Sequence, residues 1–80
     1  MRVRVRLFAS YAEAFGREEI PLELAQGATV ADCLAAIRGE PAATRLPPSP
    51  VVAVNQRYAR SDTVLRDGDE LALIPPVAGG

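Results

Sequence analysis

The sequence has 80 residues, of which 49% are hydrophobic and 24% are charged, and its formal net charge is −1. This length and composition predict a single small globular domain over residues 1–80. The near-neutral charge gives no electrostatic case for nucleic acid or membrane partners, and no apolar run approaches the roughly 20 residues of a spanning helix. With one cysteine and no signal-peptide pattern after Met1, a reducing, cytoplasmic location is expected.

The residue types that carry most enzymatic chemistry are scarce. Histidine is absent and there is one cysteine, so neither a structural zinc site nor a Ser-His or Cys-His nucleophile pair is predicted. No G-x-x-x-x-G-K-[ST] phosphate loop is present. All nine basic residues are arginine, for which G+C-rich coding is the favoured interpretation and a thermophilic origin the alternative. In either case, no side-chain amine can accept an isopeptide bond. We therefore expect a chain that binds no metal or cofactor itself and presents a group to enzymes that act on it.

Residues 2–8 alternate between apolar and arginine side chains, which predicts a half-buried strand. Phe8 falls on the arginine side. A second strand is predicted over residues 18–24, and Pro21 makes it an edge strand or a bulged one. Val51–Val54, residues 57–60 and Glu70–Ile74 read as three further strands, with turns at Asn55-Gln56 and Asp67-Gly68-Asp69.

Two helices are predicted, one short and one substantial. Ser10 is a candidate cap for a short helix over residues 11–15, and Gly16 would end it. Thr29-Val30-Ala31-Asp32 resembles a capping box, and Gly39 is placed to end the main helix that follows. Cys33 lies on the apolar stripe of that helix, where a buried structural thiol is expected. Residues 40–50 hold four prolines and predict an irregular connection.

This order of elements predicts an α+β fold of the β-grasp, or ubiquitin-like, type, with one main helix on a four- to five-stranded mixed sheet. If that helix covers one sheet face, the other face carries the arginines of the first strand. Phe8 and Ile74 would then lie exposed near the tail, with Tyr58 on the same face. Exposed apolar groups rimmed by charge are a candidate partner surface, although scattered surface apolar residues are also common.

The last six residues predict a flexible tail, residues 75–80. Pro75-Pro76 ends the last strand, and the two terminal glycines carry no side chain, so this backbone fits a channel that a Cβ would block. Such a Gly-Gly end suits a carrier whose own terminal carboxylate reacts. A frayed terminus is the alternative.

Several motifs resemble those of molybdopterin synthase small subunits, the MoaD family. Phe8-Ala9 with Glu13 and Gly16 is similar to the family's F-A-x-x-x-E-x-x-G opening, and Val54-Asn55 to its central V-N. The segment from Leu65 to Gly80, L-R-D-G-D-E-L-A-L-I-P-P-V-A-G-G, resembles the family's closing motif almost throughout. The mild departures are Tyr11-Ala12, where Leu-Arg is frequent, and the proline-rich residues 41–50.

The resemblance implies a sulfur carrier of molybdenum cofactor biosynthesis. An E1-like enzyme would use ATP to adenylate Gly80, and a sulfur donor would convert the adenylate to a thiocarboxylate. The tail would then deliver sulfur to a pyranopterin precursor inside the large synthase subunit, in a heterotetramer whose catalytic side chains come from that subunit. The residues expected to contact partners are Phe8, Tyr58, Ile74, Pro75, Pro76, Val77, Ala78 and Gly79.

Two other functions stay open from the sequence. The same tail chemistry serves carriers for thiamine thiazole or for tRNA thiolation. A ubiquitin-like binding module with an unactivated tail is a function of another class.

Overall fold

The computed structural model describes residues 1–76, so the predictions for Val77, Ala78, Gly79 and Gly80 lie outside the described residues. The elements along the chain are β1 (Arg2–Leu7), α1 (Ala9–Phe15), β2 (Glu19–Glu23), α2 (Val30–Ile37), a 3₁₀ helix (Pro41–Arg45), β3 (Val51–Val54), β4 (Arg57–Ala59) and β5 (Glu70–Ile74). No helix among these is long and apolar enough to cross a membrane.

The five strands form one mixed sheet in the order β2-β1-β5-β3-β4. The central pair, β1 and β5, is parallel, and the other neighbouring pairs are antiparallel. Because β2 is an edge strand, Pro21 removes no ladder hydrogen bond from the interior of the sheet, as its sequence position predicted. A β-hairpin followed by a helix that crosses to the later strands confirms the predicted β-grasp fold.

The hydrophobic core lies between α2 and one face of the sheet. Val3, Val5 and Leu7 from β1 meet Leu71 and Leu73 from β5, all at most 2% exposed. Helix α2 supplies its apolar stripe to the same cluster, namely Val30, Cys33 and Ile37. Within residues 1–76, this one-sided packing leaves the opposite sheet face without a covering helix.

The observed ends of α1 and α2 confirm some of the predicted helix caps and contradict others. The Thr29 hydroxyl accepts a hydrogen bond from the Asp32 backbone N–H, and the Asp32 carboxylate accepts one from the Thr29 backbone N–H. These two bonds confirm the capping box. The Ser10 cap was wrong, because α1 begins at Ala9 and Phe8 occupies the N-cap position without a side-chain bond. Gly16 does end α1 in the left-handed conformation. Helix α2 stops at Ile37, two residues before Gly39, with Arg38 as a right-handed C-cap.

The proline-rich connection is tied to α2 by one arginine. The Arg38 guanidinium donates to the carbonyls of Ala43 and Leu46 at 3.3 and 3.2 Å, and also to those of Pro47 and Pro48. A guanidinium group has five N–H donors in a fixed geometry. It suits a proline-rich segment because each proline has a carbonyl acceptor but no backbone N–H donor. The segment expected to be irregular therefore contains a 3₁₀ helix and is held by a side chain that precedes it.

Asn55 joins two turns that lie 14 residues apart in sequence. Its side-chain amide donates to the Asp69 carboxylate at 2.9 Å, and its carbonyl oxygen accepts from the Glu70 backbone N–H at 3.0 Å. Its own backbone N–H donates to the Glu70 carbonyl at 2.8 Å. The V-N and D-G-D-E motifs are thus one structural unit at the end of the sheet where β5 begins.

The β3–β4 turn gives a pair of stability predictions. Asn55 and Gln56 have φ of 49° and 72°, a turn geometry that favours Asn-Gly. Replacing Gln56 by glycine should stabilise the domain by about 1 kcal/mol, because it removes a left-handed L-residue. Asn55→Ala should cost about 1–2 kcal/mol through the lost side-chain bonds. Urea unfolding of both variants checks this, and an Asn55→Ala variant as stable as the parent would contradict the account of this unit.

Candidate functional site

The open face of the sheet is defined by the strand register. Arg4 pairs with Glu70 and Arg6 with Ala72, while Ala72 also pairs with Ala53. These side chains alternate with the core residues, so they share the face that α2 does not cover. The arginine side of β1 is therefore exposed as the sequence predicted.

An apolar cluster occupies the end of this face where β5 leaves the sheet. Ile74 is half-buried and pairs with Val51, which is 49% exposed. Phe8 is 43% exposed and directly follows Leu7, the register partner of Leu73, so it lies at the same end. We call Phe8, Val51 and Ile74 the apolar end. Neither of its two predicted members belongs to the buried core cluster of the described residues.

Tyr58 lies on the same face but further from the exit of the tail. It is 80% exposed on the edge strand β4 and pairs with Ala53. Two strand positions along β5 separate Ala72, the partner of Ala53, from Ile74. The structure thus places Tyr58 at the rim of this face.

Val51 was missed by the sequence interpretation. Val51–Val54 is apolar throughout, so its composition does not separate a core face from an open one. The structure shows that Val52 lies in the core, where it is 4% exposed. Because side chains alternate between the two faces of a strand, Val51 lies on the opposite face.

Charged side chains flank the apolar end. The Arg6 guanidinium carbon lies 5.6 Å from the centroid of the Phe8 ring, within cation–π range. The Glu70 carboxylate lies 3.4 Å from Arg4 and 3.9 Å from Arg6. Arg6 therefore contacts both the aromatic ring and the acidic side chain, and it links the apolar end to the charged part of the face.

The backbone after β1 fixes the position of Phe8. Ala9 has φ of 46°, a left-handed value that costs an L-residue about 1 kcal/mol. The Phe8 carbonyl accepts from the Tyr11 backbone N–H at 3.0 Å, and Tyr11 is itself buried in the core. This abrupt turn from strand to helix holds the Phe8 ring at the sheet end.

Pro75 and Pro76 follow β5 outside any regular element. Pro75 is half-buried and Pro76 is exposed. The structure thus brings Phe8, Ile74, Pro75 and Pro76 to one end of the sheet, beside the point where the chain continues toward Gly80. The predicted roles of Val77, Ala78, Gly79 and Gly80 concern residues outside those described.

Cys33 is fully buried among core side chains. Burial raises the pKa of its thiol to about 11, because the charged thiolate is disfavoured away from water. This confirms the predicted structural role of the residue.

The model of the ThiS family matches residues 5–80. A molybdopterin synthase sulfur carrier subunit from Chlamydomonas reinhardtii is 41% identical over 83 residues, which cover 100% of both chains.

Two solved structures extend the comparison. SAMP1 from Haloferax volcanii is 34% identical, with a TM-score of 0.90 and complete coverage of both chains. The complex of subunits 1 and 2 of the molybdopterin-converting factor from Helicobacter pylori contains a similar chain, at 25% identity, a TM-score of 0.76 and complete coverage of both.

Proposed function

Because this chain belongs to the ThiS family and, over its full length, to the molybdopterin synthase sulfur carrier subunits within it, we propose that its terminal Gly80 carries sulfur for molybdenum cofactor biosynthesis. The observation that carries the proposal is the full-length relationship to a carrier subunit. The fold supports it, since the last strand directs the chain toward Gly80 from a sheet end with exposed apolar side chains.

The chemistry at Gly80 proceeds in three steps. A carboxylate is a poor electrophile, so an E1-like enzyme first transfers AMP from ATP to Gly80 and releases pyrophosphate. Sulfur at the oxidation level of sulfide, supplied by a donor, then bonds to the Gly80 carbonyl carbon, the bond to AMP breaks, and AMP leaves to give the thiocarboxylate. In the large synthase subunit, the thiocarboxylate sulfur bonds to a carbon of the pyranopterin precursor in place of an oxygen substituent, and water cleaves the acyl C–S bond to return the Gly80 carboxylate. Two such deliveries complete the dithiolene. ATP is used by the activating enzyme, and the carrier binds no cofactor of its own.

The open face is the proposed docking surface for the large subunit. The apolar end comes from β3, from β5 and from Phe8, which directly follows β1, and Arg6 lies beside it. Aromatic and aliphatic anchors at the centre of an interface supply most of its binding energy, while rim residues such as Tyr58 supply less. A partner seated here would hold the domain while the tail, through Val77, Ala78 and Gly79, enters a pocket. The two-subunit complex from Helicobacter pylori supports a partner of this kind.

The length of the tail is consistent with this arrangement. From Pro75 to Gly80 an extended chain reaches at most roughly 17–20 Å. That distance lets the carbonyl of Gly80 enter a buried site while the folded domain stays outside. Pro75 and Pro76 reduce the backbone entropy lost on insertion, which favours binding.

The identity of the acceptor is tested by reconstitution. Thiocarboxylated carrier is mixed separately with a large molybdopterin synthase subunit and pyranopterin precursor, and with a thiazole synthase and its substrates. We expect loss of the carrier's sulfur and formation of dithiolene only with the first. Transfer only to the thiazole synthase would replace this proposal with the thiamine alternative, and transfer to neither would favour tRNA thiolation or a binding role.

A further inference from the structure

A carrier with an activated acyl end is exposed to attack by its own amine and thiol nucleophiles, and this chain has few of them. All nine basic side chains are arginine, and no histidine is present. Several arginines are well exposed, with side-chain exposures of 74% at Arg2 and 88% at Arg60. Guanidinium groups keep their proton in proteins, whereas lysine amines and histidine imidazoles serve as nucleophiles.

The thiol in the chain is withdrawn into the core. Cys33 is 0% exposed and lies on the core-facing side of α2. The thiolate is the nucleophilic form of cysteine, and the same burial that raises the pKa to about 11 suppresses it.

The N-terminal amine is held at the far end of the sheet. The Met1 ammonium donates to the Leu24 carbonyl at 2.7 Å. Since β1 and β5 are parallel, Met1 lies at the start of this central pair and Pro75 follows its end. The six residues of β1 span about 20 Å. The extended tail is about as long as β1, so Gly80 could approach the Met1 amine only if the whole tail ran straight back along the sheet.

We propose that the scarcity of amine and thiol nucleophiles on the folded surface, whatever its coding origin, restricts activated Gly80 to acylating groups that partner enzymes present. This inference rests on the proposed function and adds a basis for its selectivity. The reaction avoided is aminolysis: an amine nitrogen bonds to the Gly80 carbonyl carbon, the bond to the leaving group breaks, and the amine proton goes to solvent. The product would be an amide that is blocked for sulfur transfer.

Arg6 and Arg2 offer a matched pair of sites for a test. Both lie on the same face of β1, but Arg6 pairs with Ala72 near the tail exit, while Arg2 pairs with Glu23 four residues earlier along β1. These four residues place Arg2 about 13 Å further from the exit. A lysine amine at position 6 is therefore within reach of the tail, and one at position 2 is close to its limit.

The experiment uses the full chain with a thioester installed chemically at Gly80, so it needs no activating enzyme. The parent, Arg6→Lys, Arg2→Lys and Arg6→Gln chains are incubated at neutral pH, and products are identified by intact mass and peptide mapping. Arg6→Gln controls for loss of the guanidinium beside Phe8. Thermal unfolding verifies that each variant is folded.

We expect the parent and Arg6→Gln chains to yield only the hydrolysed acid. Arg6→Lys should yield a cyclic amide whose mass is lower by one water than that of its own hydrolysed acid. A short tether holds its ends at an effective concentration on the order of millimolar, so cyclisation should exceed intermolecular reaction by roughly 100-fold for carrier at about 10 µM. Arg2→Lys should give much less cyclic product than Arg6→Lys.

Amide formation in the parent as fast as in Arg6→Lys would overturn the inference, and so would hydrolysis alone in Arg6→Lys. Either result would leave the carrier function intact, because sulfur transfer is measured separately with the activating enzyme. Conversely, a chain that is never adenylated would overturn the carrier function without changing the thioester result.

Discussion

Deletion of Gly80 is expected to abolish sulfur transfer and to leave the free energy of unfolding within about 0.5 kcal/mol of the parent value. The core residues of the described structure lie between Val3 and Leu73, so they keep their contacts when the last residue is removed. Transfer fails because the reactive carbonyl is displaced by one residue. Addition of one residue after Gly80 should also abolish sulfur transfer, since it converts the Gly80 carboxylate into a peptide carbonyl.

Gly79→Val is expected to impair insertion of the tail more than folding of the domain. A branched side chain should obstruct entry of the tail into a narrow pocket, with little effect on folding. Urea unfolding and single-turnover sulfur transfer are measured for all three variants. A large fall in stability for any of them would show that the last residues are structural, and retained transfer in the Gly80 deletion would remove the proposed reactive group.

Truncation of the apolar end should weaken binding of the large subunit without unfolding the carrier. Phe8→Ala and Ile74→Ala should each cost about 1–4 kcal/mol in affinity, because they remove anchors from the proposed interface. Phe8 is 43% exposed in the free domain, so its truncation leaves no large cavity.

Leu73→Ala provides the matched control. Leu73 is adjacent to Ile74 on β5 but points to the core and is 0% exposed, so its truncation should destabilise the domain by about 2–5 kcal/mol. Affinity per folded molecule should remain near the parent value. Arg2→Ala and Arg4→Ala should change mainly the association rate and its salt dependence. A Phe8→Ala chain that loses roughly 3–5 kcal/mol of stability and binds normally when folded would refute the interface assignment.

The placement of Phe8 and Ile74 in the apolar end could be predicted because strand parity is local information. Alternation over residues 2–8 put Phe8 opposite the core, and the register with β5 then confirmed that it lies near Ile74. Val51 could not be placed in this way, because both faces of β3 carry apolar side chains and burial depends on partners distant in sequence.

Predictions from the sequence were wrong or incomplete where tertiary contacts override local preferences. Ser10 is a good cap residue, but α1 starts at the left-handed Ala9, two residues earlier than predicted, and leaves Phe8 at the N-cap position. The bonds from Asn55 to Asp69 and Glu70, and from Arg38 to the proline-rich segment, link residues whose pairing no short-range signal specifies. The motifs were recognised by resemblance, and the structure assigns the V-N and D-G-D-E motifs a role in folding.

The most direct test of carrier function is the intact mass of the purified chain before and after incubation with its E1-like enzyme, ATP and a sulfur donor. The proposal requires a chain that ends at Gly80, which the mass of the untreated protein checks. We predict a gain equal to the difference between one sulfur and one oxygen atom, localised to Gly80 by fragmentation and absent without ATP. An unchanged mass, under conditions that convert a known carrier, would contradict the proposed function.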